Sequence, residues 1–112
     1  MKTKLFNAVL DVVHEVTEVS REDIMSLRKE EYILEARVLL VWFLNRNGMH
    51  TLDIAKFLDR KSPSSIDKKL RDYHIRTATS VMFNCYTKKI ASILPARIQQ
   101  VAESDIQSTM QS

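Results

Sequence analysis

The amino-acid sequence predicts an all-α fold, a small helical bundle, on three observations. Apolar residues recur at three- and four-residue spacing through most of the chain, the period of a helix with one buried stripe. Punctuation is sparse, with one Gly and two Pro in 112 residues, which suits long helices better than a many-turned sheet protein. The balance of 45% hydrophobic to 28% charged residues is that of a folded chain with one modest core.

Each element has its own signal. Leu5, Val9, Val12, Val13 and Val16 predict a first helix over about residues 3–16. Ser20 offers a cap oxygen to a short second helix, with Glu22 and Asp23 well placed in its first turn. The third helix, about residues 32–46, contains the run Val38-Leu39-Leu40-Val41-Trp42-Phe43-Leu44, apolar on every side and therefore enclosed by neighbours. Gly48 closes it, supplying the left-handed residue wanted at a helix end. Leu52 to Leu58 forms a short fourth helix with Thr51 as expected N-cap, and Asp59-Arg60-Lys61 is a polar turn. Ser62 as N-cap and Pro63 at the first helical position start a fifth helix running to about Tyr73. Ile75, Thr79, Met82, Phe83, Tyr86, Ile90, Ile93 and Leu94 predict a last helix over about residues 77–94, stopped by Pro95. Residues 1–95 thus read as one domain, and residues 96–112 as a weakly helical or flexible tail.

Composition also argues against several functions. The longest uninterrupted apolar run, residues 38–44, is far too short to span a bilayer, and Asp11, Glu15 and Glu18 interrupt any signal-peptide pattern. Cys85 is alone, which fits a reducing cytoplasm and predicts a small core filler. His14, His50 and His74 are scattered without partners at metal spacing, and no nucleophile–base pair or metal set is visible. The expectation is a cytoplasmic protein, not an enzyme, with no cofactor and no membrane partner. Trp42, Phe43, Phe57, Phe83 and Tyr86 read as core aromatics, and Glu30, Glu31 and Glu35 as a solvated acidic face.

The formal net charge is only +3, but it is unevenly spread. Lys56, Arg60, Lys61, Lys68, Lys69, Arg71 and Arg76 are offset only by Asp59, Asp67 and Asp72. Such a local cluster on a near-neutral chain is the footprint of a polyanion-binding face. It coincides with a helix, a short polar turn and a second helix whose back (Ile66, Leu70, Tyr73) is apolar while its front is Ser, Lys and Arg. A helix lies in a DNA major groove when its inner face is pinned to a scaffold and its outer face is small, polar or basic near the N-terminus. Ser64 and Ser65 are short enough to let backbone approach base edges, while Lys61, Lys68 and Lys69 suit phosphates. Arg37, at the edge of an apolar helix, needs a partner, and a phosphate is one candidate.

The run Ile54-Ala55-Lys56-Phe57-Leu58-Asp59-Arg60-Lys61-Ser62-Pro63-Ser64-Ser65-Ile66 resembles the motif Ile-Gly-x-x-Phe-Gly-x-Arg-Asp-His-Ser/Thr-Thr-Val of the C-terminal DNA-binding domain of the bacterial chromosomal replication initiator DnaA. Upstream, the stretch from Ala36-Arg37 to Leu44 resembles that family's Ala/Pro-Arg-x-x-Ala-x-x-Leu helix, and residues 16–24 resemble the segment before it. The likeness covers about residues 9–73. Both family glycines are replaced, by Ala55 and Asp59, and its Asp-His pair by Ser62-Pro63. No Gly-rich Lys-Ser/Thr phosphate loop is present.

The resemblance implies a Trp-repressor-like helix-turn-helix and double-stranded DNA as partner, with the recognition helix at about residues 63–73. It implies that Arg37 faces DNA, that Ser64 and Ser65 lie at base edges, that Lys61 replaces a turn arginine, that Ser62 keeps the cap, and that Lys29 reaches toward the minor groove. Replication or transcription regulation is the implied setting. The alternative expectation is a module on the same scaffold that docks a protein partner or a second copy and no longer reads DNA.

Overall fold

The computed structural model describes residues 2–59 and 63–111, with side chains to residue 101. Among these residues there are six helices and no strand: α1 (Lys2–Thr17), α2 (Arg21–Met25), α3 (Glu31–Arg46), α4 (Thr51–Phe57), α5 (Ser64–Thr79) and α6 (Val81–Gln111). The expected small helical bundle is what the chain forms. None of these helices is long and apolar enough to cross a membrane.

The core is built around α3. Ile33, Ala36, Val38, Leu39, Leu40, Val41, Phe43 and Leu44 are all buried, so the helix is enclosed around its circumference, as its unbroken apolar run requires. It packs against α1, α2, α4 and α5, while α6 lies along α1. Val9, Val12 and Val13 of α1, Phe83 and Ile90 of α6, and Ile54 of α4 complete one continuous cluster. Each such fully buried side chain contributes roughly 1.5–3 kcal/mol of transfer free energy. Phe57 stacks on Phe6 with ring centroids 4.7 Å apart, which fastens α4 to α1.

Two helix ends match the sequence expectation. The Ser20 hydroxyl accepts a hydrogen bond from the Asp23 N–H at 3.1 Å and caps α2. Gly48 has φ +97°, and the Met49 N–H returns to the Leu44 carbonyl at 3.0 Å, closing α3.

Other boundaries differ. Thr51 is the first residue of α4 and not its cap; the cap is His50, whose Nδ1 accepts from the Leu52 N–H at 3.2 Å. The fifth helix continues past Tyr73 to Thr79, and the Arg76 guanidinium pairs with Asp72 one turn back within this extension. Ser80 is the break: its backbone is extended, and its hydroxyl accepts from the Phe83 N–H at 3.1 Å, capping α6. Asn84 secures the corner by donating to the carbonyls of Thr77 and Ser80.

Pro95 does not stop the last helix, which runs through it to Gln111. Beyond the proline, Ile98 packs on the core and Arg97 pairs with Glu15 of α1 at 2.8 Å. This docking outweighs the one backbone bond that proline removes. Cys85 is exposed rather than a core filler.

Candidate nucleic-acid interface

The geometry of α5 begins in the chain before it. Asp59 follows α4 with φ +55°, a left-handed conformation that Asp tolerates better than most residues because its short polar side chain bonds locally. Arg60, Lys61 and Ser62 lie outside the described residues, and with them the expected cap and the turn lysine. Pro63 has right-handed helical dihedrals, and its carbonyl accepts from the N–H groups of Ile66 and Asp67 at 3.0 and 3.1 Å. The ring's fixed φ therefore pre-sets the first turn.

One side of α5 is anchored. Ile66 is fully buried, Leu70 packs against the core, and the Tyr73 ring lies parallel on Trp42 of α3 with centroids 3.7 Å apart and planes 7° from parallel. The other side faces outward: Ser64, Asp67, Lys68 and Arg71 are exposed. This is the periodicity expected of a surface helix, and it holds the outer face rigidly against the scaffold.

Four of the sequence-expected residues come together. Ser65, Lys68 and Lys69 of α5 line a shallow groove of about 720 Å³, whose opposite wall carries Lys29 from the segment before α3. Arg71 joins them, and Leu34, Val38 and Ile75 supply apolar surface. Four cations line the groove against one carboxylate, Asp72, which is held by Arg76 at 2.8 Å. Among the described residues, Lys29, Lys68 and Arg71 take part in no ion pair. Ser64 is exposed in the first turn of the same helix.

Arg37 is elsewhere, and its expected role is corrected. It is buried, with 2% of its surface exposed, and faces α2 instead of solvent. Its Nε donates to the Ile24 carbonyl at 2.9 Å, and one terminal nitrogen donates to the carbonyls of Ser26 and Asp23 at 2.7 and 3.3 Å. These are carbonyls at the C-terminal end of α2, where the helix itself leaves acceptors without partners and where a cation is favoured. The partner that Arg37 needs is backbone rather than phosphate.

Arg76, counted in the basic cluster, is also committed. It bridges Asp72 and Glu31, so it ties α5 to the start of α3 and adds little net field. Glu35 lies near this bridge. Partial burial pushes its carboxyl above the usual range, against the lowering effect of Arg76. Glu30 is held below that range, first by its own backbone N–H and then by Arg28.

Arg71 was expected in the basic cluster but given no contact of its own, and the apolar floor was not expected at all. Arg71 sits three residues beyond Lys68 on the same helix, a spacing that puts the two on one face and was available in the sequence. The floor needed the tertiary approach of α3 to α5. No protein-family model, no curated protein and no solved structure matches the chain, so the interface rests on its own residues.

Proposed function

We propose that the chain is a sequence-preferring double-stranded DNA-binding protein on a helix-turn-helix, DnaA-like and Trp-repressor-like scaffold, with α5 as its recognition helix. The observation that supports this reading best is the juxtaposition of an anchored helix presenting Ser64, Ser65, Lys68 and Arg71 with Lys29 across a cation-lined groove. Phosphates of one strand would meet Lys29, Lys68, Lys69 and Arg71, releasing counterions and fixing the register of the helix. Ser64 and Ser65, at the helix N-terminus, are short enough to work at base edges as donors or acceptors. Lys61 and Ser62 belong to the same reading from the sequence.

The test is selection of bound duplexes from a random pool at moderate salt, followed by salt titration. An enriched motif, with affinity falling steeply as salt rises, is the expected result. Replacing Lys68 and Lys69 together by Ala should weaken binding to every sequence, whereas Ser65→Ala should change the preferred one. Absence of duplex binding even at low salt would overturn the reading. The exposed Asp67 amid the cations on the front of α5 favours a second reading, a docking face for a protein segment of mixed charge. Recovery of a stable protein partner together with no duplex binding would select it.

A further inference from the structure

Asp72 is the one acid among the described residues that line the groove, and it stands four residues beyond Lys68 on α5. At that spacing the two side chains are neighbours on the helix surface. They are nevertheless unpaired. Lys68 takes part in no ion pair among the described residues, and the Asp72 carboxylate accepts instead from Nε of Arg76 at 2.8 Å. Arg76 does not itself line the groove. Its side chain is only 16% exposed, and its far end donates to Glu31 at the start of α3. Glu35 also feels its charge, and neither Glu31 nor Glu35 lines the groove. Withdrawal from water strengthens such a clasp, because charges attract more strongly through a lower effective dielectric.

We infer that Arg76 is a positioning residue of the polyanion interface and acts through Asp72. By holding that carboxylate it leaves Lys68 open to a phosphate. Without Arg76, Asp72 has Lys68 within reach one turn back, and a lysine already neutralised by a carboxylate releases no counterion when a polyanion arrives. The inference rests on the groove as a polyanion interface, which the DNA reading shares, but it does not require the polyanion to be DNA.

The test is the affinity of the full chain for inorganic polyphosphate, a polyanion without bases, measured as a function of salt. Arg76→Met should lower the slope of log affinity against log salt by roughly 0.7–0.9, the share of one phosphate contact on a nucleic-acid strand. Adding Asp72→Asn to Arg76→Met should restore the slope, whereas adding Glu31→Gln should not. The two double variants have the same net charge, and both lack the bridge from α5 to α3. A difference between them therefore comes from the groove carboxylate, and neither overall charge nor a loosened helix can produce it. An unchanged slope in Arg76→Met overturns the inference, as does restoration by Glu31→Gln or by neither second substitution. A wild-type chain that does not bind polyphosphate overturns it too. The duplex selection decides the DNA reading separately: the expected pattern on polyphosphate with no duplex binding would remove that reading and leave this inference standing.

Discussion

Arg37 illustrates how burial decides what a guanidinium does. Its fork reaches the carbonyls of Asp23, Ile24 and Ser26, so it fastens a five-residue helix that has too few backbone bonds to persist alone. Arg37→Met removes this donor from the carbonyls of Ile24 and Ser26, at about 1–3 kcal/mol for each one left buried and unsatisfied, while the Asp23 carbonyl keeps the N–H and hydroxyl of Ser26. The expected loss is about 3 kcal/mol, read as a lower urea midpoint. Arg37→Lys should recover only part of it, because an ammonium lacks the planar fork. Duplex affinity of the folded fraction should be unchanged in both variants; a selective loss of affinity would return Arg37 to the interface. Asp59 gives a prediction of opposite sign. Its φ of +55° is a conformation that side chains disfavour, so Asp59→Gly relieves strain and should stabilise the fold by about 0.5–1 kcal/mol in the same assay.

Helices were legible where their signal is local. The Ser20 cap, the Gly48 stop and the enclosed α3 follow from residues adjacent to the feature, and so does the pinned face Ile66, Leu70 and Tyr73. What was not legible depends on distant partners. Pro95 reads as a stop because its own chemistry says so, and only the packing of Ile98 and the Arg97–Glu15 pair carry the helix past it. The partner of Arg37 lies eleven to fourteen residues away across a loop, where spacing carries no information. Ser80, in contrast, was a readable cap that the β-branched residues around it obscured. If packing overrides proline in α6, then Pro95→Ala should add to stability by restoring an N–H donor to the Ala91 carbonyl and removing the ring clash. The expected gain is about 2 kcal/mol, with the new amide protected from hydrogen exchange. No gain would mean that the helix already bends to avoid the penalty.

Across the molecule, ion pairing takes several cations out of the field that the surface presents. Lys2, Arg21, Arg28, Arg76 and Arg97 are each held by a carboxylate within 4 Å, and Lys29, Lys68 and Arg71 are not. The paired cations add little field beyond their own contact, because each is offset locally and screened within about a Debye length of ~8–10 Å. In the groove between Lys29 and α5, Lys29, Lys68 and Arg71 stand together with no carboxylate holding them among the described residues, and the proposed DNA reading rests on that cluster. This has a quantitative consequence for duplex binding. Each lysine that meets a phosphate adds roughly 0.9 to the slope of log affinity against log salt. Lys29→Ala and Lys68→Ala should each reduce that slope by about 1, and the double variant by about 2, although the two residues stand on different segments. Lys88→Ala, which removes an exposed cation of α6 that does not line the groove, should leave the slope where it was. Equal effects of all three substitutions would show that binding follows net charge alone, and the groove would lose its standing as the interface.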